Sequence, residues 1–135
     1  MLNETEGKAD LVLKGAYNLK SVTNPRVILI ATGSEVQLAL DVSKLLEDEN
    51  ISASVVSMPS WDLFELQTQE YRKSLLPDNV LKVSIEAGST LGWDRYSNLQ
   101  IGLNRFGSSA PADINFEKLG FSPESILAKI KSSLI

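Results

Sequence analysis

The stretch Arg26-Val-Ile-Leu-Ile-Ala-Thr-Gly-Ser-Glu-Val-Gln-Leu-Ala-Leu40 decides the fold. From Arg26 to Ala31 the chain is a continuous aliphatic run rich in β-branched residues, the pattern of a central strand covered on both faces. Thr32-Gly33-Ser34 breaks the run. A helix is expected from there to about Asn50, with Ser34 as its N-cap and acidic Glu35 in its first turn. Gln37, Asp41, Lys44 and Asp48 fall at helical spacing and form a solvated face, while Val36, Ala39, Leu40 and Leu46 turn elsewhere. Ile51 to Met58 reads as the next strand. Strand, helix and strand in this order make a right-handed βαβ unit by default.

Working outward, Leu11 to Leu19 reads as a short strand in which Gly15 marks a bulge. It joins the Arg26 strand through a turn at Ser21 to Pro25, which suits an antiparallel edge strand. Pro59 to Leu76 reads as two short helical pieces with a break near Gln67. A turn at Pro77-Asp78-Asn79 leads into a third buried strand, Val80 to Ile85. Gly88 to Asn98, rich in glycine and aromatics, begins a loop or short helix, and Leu99 to Leu103 is the last strand. Ser109 can cap a short helix that Gly120 ends. Ser122 and Pro123 start a final helix with Leu127, Ile130 and Leu134 as its apolar stripe. Residues 1–10 form a polar lead-in, and residues 11–135 a single α/β domain, three layers thick.

Composition narrows the chemistry. The 135 residues are 43% apolar, with 13 basic and 17 acidic side chains and a net charge of −4. No basic stripe suits nucleic acid, and no segment approaches the ~18 apolar residues of a membrane span. The N-terminus carries no apolar signal-peptide core, so a cytoplasmic protein is expected. Cysteine and histidine are both absent. That excludes disulfides, thiolate nucleophiles, most zinc sites and the commonest general acid–base.

Four groups remain as candidate sites. Thr32, Gly33 and Ser34 sit between a buried strand and a helix start, where backbone N–H groups can hold a phosphate or carboxylate; the plainer reading is a tight turn with a serine cap. Glu86 follows the third parallel strand, at the sheet end where ligands usually bind, or else caps backbone amides or meets a neighbouring domain. Trp93, Asp94, Arg95 and Tyr96, with Trp61 and Phe64, have an interface composition but equally suit the edge of the domain's own core. Arg105, with Ser108 and Ser109, offers a cation and two hydroxyls ahead of a helix start, for an anion or for chain reversal.

Four motifs, taken in order, are similar to one family. They are Ile28-Leu-Ile-Ala-Thr-Gly-Ser-Glu-Val36, Val56-Ser-Met-Pro-Ser-Trp-Asp-Leu-Phe64, Val83-Ser-Ile-Glu-Ala-Gly-Ser-Thr-Leu-Gly-Trp-Asp-Arg-Tyr96 and Asn104-Arg-Phe-Gly-Ser-Ser-Ala-Pro-Ala112. Together they resemble the C-terminal domain of transketolases; dihydroxyacetone synthase and deoxyxylulose-phosphate synthase are close cousins. The resemblance implies a mixed five-stranded sheet with helices on both faces and one antiparallel strand. It further implies a homodimeric enzyme of the pentose phosphate pathway. Such enzymes transfer a two-carbon ketol group between sugar phosphates with thiamine diphosphate and a divalent cation, magnesium or calcium. The family's diphosphate and metal motif, its activating glutamate and its catalytic histidines have no counterpart here. No catalytic, cofactor or metal residue is therefore carried over, and the expected role is to pack on the remaining domains and support the dimer. The rival reading is a regulatory module that binds a small anion or nucleotide.

Overall fold

A computed structural model describes residues 14–33, 35–86, 92–102 and 122–134. The expectations placed on residues 1–13, on Ser34, on Arg105 and on the Ser109–Gly120 helix lie outside these residues. In chain order the elements are β1 (Tyr17–Lys20), β2 (Val27–Ala31), α1 (Glu35–Asp48), β3 (Ala53–Ser57), α2 (Trp61–Glu65), α3 (Gln69–Leu75), β4 (Leu81–Glu86), a 3-10 turn (Trp93–Arg95), β5 (Leu99–Gly102) and α4 (Pro123–Leu134). The strands form one sheet in the order β1-β3-β2-β4-β5. Strands β3, β2, β4 and β5 run parallel, and β1 pairs antiparallel with β3.

Period-two alternation along the strands splits the core into two halves. Val27, Leu29 and Ala31 of β2, with Val83 and Ile85 of β4, meet Ala39, Val42 and Leu46 of α1 and Ile126 and Ile130 of α4. Ile28 and Ile30, with Val56 of β3, face the opposite side, where Met58, Phe64, Leu75, Leu76, Trp93 and Tyr96 cover them. Every residue of β2 is buried, as its aliphatic run demands. The final helix buries Ile130, as expected, together with Ile126; Leu127 and Leu134 pack at the margin of that core half, so the stripe holds and widens to include Ile126.

Local chemistry fixes the element ends. Helix α1 stops in a Schellman arrangement: Asn50 is left-handed at φ 63, the Ile51 N–H donates to the Leu46 carbonyl and the Asn50 N–H to that of Glu47. Asparagine tolerates this conformation better than most residues. The break near Gln67 is made by Thr68, whose hydroxyl accepts the Tyr71 N–H and caps α3. Ser60 caps α2 through the Leu63 N–H in the same way.

The first strand is the expected antiparallel edge strand, but the expectation about Gly15 needs correction. Gly15 makes no bulge; it lies before β1 in a left-handed turn at φ +85, and the ladder irregularity falls between Asn18 and Lys20. The antiparallel partner of β1 is β3, rather than the strand it leads into. A short connection allows a hairpin but does not require one. Here the Val22 N–H bonds the Ser54 hydroxyl of β3 at 3.1 Å, and the Lys20 ammonium reaches across to Ser43 and Glu47 of α1.

Candidate functional site

The parallel strands bring some of the singled-out residues to one edge. Ala31 of β2 stands opposite Ile85 of β4, so Thr32 and Glu86, the next residue in each chain segment, follow side by side at the carboxyl end. Glu86 in turn stands opposite Gly102 of β5. Gly33 is exposed at φ +60, in open space, and the carbonyls of Thr32 and Gly33 accept the Glu35 and Val36 N–H groups at 3.3 and 3.2 Å. The edge therefore joins Thr32, Gly33 and Glu86, while Ser34 and Arg105 fall outside the described residues.

Trp93, Asp94, Arg95 and Tyr96 divide by the three-residue period of their 3-10 turn. Trp93 and Tyr96 point inward, 3% and 7% exposed; Asp94 and Arg95 are exposed. Trp93 meets Trp61 edge-on, with centroids 5.0 Å apart and planes at 87°. Tyr96 lies 5.6 Å from both Trp61 and Phe64, again edge-to-face. These are favoured geometries for aromatic quadrupoles. Gly92 makes room for them: a Cβ there would come within 2.8 Å of the Trp61 ring. The Ser97 hydroxyl, 2.9 Å from that of Ser84, ties the turn's end to β4 and donates to the Trp93 carbonyl.

Beside the rings lies a pocket of about 200 Å³ whose wall includes Glu65, Arg72, Lys82, Arg95 and Tyr96. Arg72 pairs with Glu65 at 3.1 Å. Lys82 is 8% exposed and its ammonium donates to the Pro77 and Val80 carbonyls at 2.6 and 3.0 Å. Burial pushes its pKa down, and the nearby Asp78 carboxylate opposes this. The Tyr96 hydroxyl is held above its ordinary value of 10.0 by burial and then by the Glu65 carboxylate, with Arg95 pulling the other way. Sequence reasoning missed this pocket. Its one signal is register: Lys82 stands opposite Ile28, a residue of the inward face.

The raised Tyr96 pKa has a consequence for stability. A phenol whose folded pKa exceeds its unfolded one stabilises the fold fully below the unfolded value, and that stability is lost as pH rises through the folded value. As pH rises above about 10, the wild-type chain is therefore expected to lose more stability than Tyr96→Phe. Urea midpoints of the two proteins across that range check this, and parallel curves would refute it.

Among the described residues no group of three or more Asp or Glu side chains is placed to hold a metal ion, and no helix is long and apolar enough to cross a membrane.

Comparison with known proteins places this geometry. Residues 15–122 match the model of the transketolase-like TK C-terminal domain. The chain is 41% identical over 134 residues to transketolase 1 of Saccharomyces cerevisiae, a match that covers 98% of this chain and 20% of that protein. A Pichia stipitis transketolase solved with xylulose 5-phosphate superposes with a TM-score of 0.84 at 41% identity, over 98% of this chain and 19% of that one. A split-gene transketolase described as an inactive β4 tetramer matches with a TM-score of 0.65 at 25% identity, over 88% of this chain and 42% of that one. The chain thus spans about a fifth of the length of the full transketolases it matches. With motif order, sheet order and superposition in agreement, this chain belongs to the transketolase family, as its C-terminal domain.

Proposed function

We propose that this domain serves a thiamine diphosphate-dependent transketolase that moves a two-carbon ketol group between sugar phosphates in the cytoplasm. Its part is structural: it packs on the remaining domains and supports the homodimer. The observation that carries this reading is the length of the match, which covers nearly all of this chain but only 20% of the yeast enzyme. The split-gene relative, described as inactive in its β4 form, supports the view that such a piece does not catalyse alone. Of the residues expected at an interface, exposed Asp94 and Arg95 and half-buried Glu86 make the contacts in this proposal. Trp93 and Tyr96 brace them from within.

The test is an assay of the pure 135-residue chain with xylulose 5-phosphate and an aldose phosphate acceptor, beside calorimetric titration with thiamine diphosphate and magnesium. No turnover and no heat are expected. Ketol transfer by the chain alone would overturn the structural role. An immunoblot of the native source should show one band several-fold heavier than 14.8 kDa; a band at that mass would overturn membership of a larger enzyme.

A further inference from the structure

Strand β1 is held differently from the rest of the sheet. Every residue of β2 is buried. In β1 none is: Asn18 is exposed, and Tyr17, Leu19 and Lys20 are half-buried. Within residues 14–22 only Gly15 and Ala16 are buried, and these have almost no side chain to bury. Polar clips hold the segment at both ends. At one end the Tyr71 hydroxyl of α3 donates to the Ala16 carbonyl at 2.7 Å. Beside it the Ser60 N–H donates to the Gly15 carbonyl at 3.1 Å, and the Lys14 ammonium stands 4.6 Å above the Tyr71 ring. At the other end the Lys20 ammonium meets Ser43 and Glu47 of α1, and the Val22 N–H donates to the Ser54 hydroxyl at 3.1 Å. The clips belong to opposite faces of the sheet. Phe64 of α2 and Leu75 of α3 cover Ile28 and Ile30, whereas α1 covers Val27 and Leu29. Strand β1 thus fastens one helix layer to the other around the β3 edge.

We infer that residues 14–22 form a strap that opens as one unit while the four parallel strands stay folded. Segments with few buried apolar contacts open below the global unfolding free energy, in contiguous cooperative units. Each clip is a hydrogen bond or a partly exposed ion pair of modest net worth. The ladder between the clips is four residues long and shifts register between Asn18 and Lys20, so release of either end leaves too little to hold the other. The hinge lies after Val22. There Asn24 is left-handed at φ 52, and the chain is fixed again at Arg26, whose N–H donates to the Ser52 carbonyl at 2.9 Å. Opening frees the outer ladder of β3 and uncouples the two helix layers at that edge, with β2, β4 and β5 left in place. The strap is independent of the ketol-transfer reading and stands or falls on its own test.

The test is native-state hydrogen exchange of the 135-residue chain in low urea, read at two amides, one at each end of the strap. Val22 reports the end at Ser54, and Ser60 the end at Gly15. Both are expected to share one opening constant, at least about 100-fold larger than that of the Leu29 and Val83 amides in the parallel strands. Its urea slope should be shallow, because little surface is exposed. Tyr71→Phe removes the hydroxyl and keeps the ring under Lys14. It is expected to speed exchange about tenfold at distant Val22 as well as at Ser60, the worth of one hydrogen bond. Lys20→Met is expected to speed Ser60 as well as Val22 several-fold. Three results would overturn the strap. The two amides could open only with Leu29 and Val83, at the same constant and slope. Each substitution could speed the amide at its own end alone, which would mark two frayed ends and no unit. Or Tyr71→Phe could leave both amides unchanged, which would remove the clip.

Discussion

Gly15→Ala is expected to destabilise the chain by roughly 3–5 kcal/mol, the upper range for a single substitution. Two costs combine. At φ +85 an L-residue is strained, and an ideal Cβ at Gly15 would lie 2.1 Å from the Phe64 nitrogen and 2.4 Å from the Ser60 oxygen. Both are backbone atoms of the capped start of α2, so no side chain can swing aside. The Ser60 N–H also donates to the Gly15 carbonyl at 3.1 Å, which holds the two segments at this spacing. Relief requires that β1 or α2 move, and either movement opens the core around Ala16 and Phe64. Gly33→Ala is the control. Its φ is +60 but the nearest atom to its Cβ is 3.9 Å away, so only the left-handed penalty of about 1–2 kcal/mol applies. Urea unfolding of both variants separates strain from collision; equal losses would disprove the close approach at Gly15.

Trp93→Ala is expected to cost the chain about 3–5 kcal/mol, the range for removal of a buried large aromatic. Edge-to-face contact with Trp61 adds to what area alone supplies. The expectation bears directly on the proposed interface role. A tryptophan that served mainly as a contact between domains would leave the stability of the isolated chain nearly unchanged when removed. One that fills the domain's own core lowers it outright. Arg95→Ala, at an exposed neighbour, should shift unfolding by less than about 0.5 kcal/mol. A small loss for Trp93→Ala in denaturant would contradict its placement in the core.

The parts of the fold that rest on unbroken periodicity are legible in the sequence alone. Arg26 to Ala31 has no polar residue after its first, and β2 is buried throughout. The inner face of α1 shows in Ala39 and Leu46, and the α2–α3 break in the turn chemistry around Thr68. What is not legible depends on contacts between distant segments. Nothing near Tyr17 names β3 as its partner, because strand pairing is chosen by hydrogen bonds and packing elsewhere in the sheet. Gly15 reads as a strand irregularity because its true constraint, the start of α2, lies far along the chain. At the site, the carboxyl-edge position of Thr32 and Glu86 follows from strand order alone. The inward turn of Trp93 and Tyr96 does not, since composition fits interface and core alike. Lys82 escapes a reading of the sequence because a lysine in a strand ordinarily points to water, and its burial rests on two backbone carbonyls that sequence does not reveal.

Strand β1 has a consequence for the colloidal behaviour of the chain. It is four residues long, carries a register shift, and shields the outer ladder of β3, whose Ala53-Ser-Val-Val-Ser57 segment is buried throughout. With β1 displaced, that segment would be a flat, uncharged and β-prone edge, a template on which a second molecule can add a strand. The irregular ladder and the Lys20 anchor make β1 itself a poor template. The cover over the β3 edge is therefore one short outer strand, held by Gly15 on one side and Lys20 on the other.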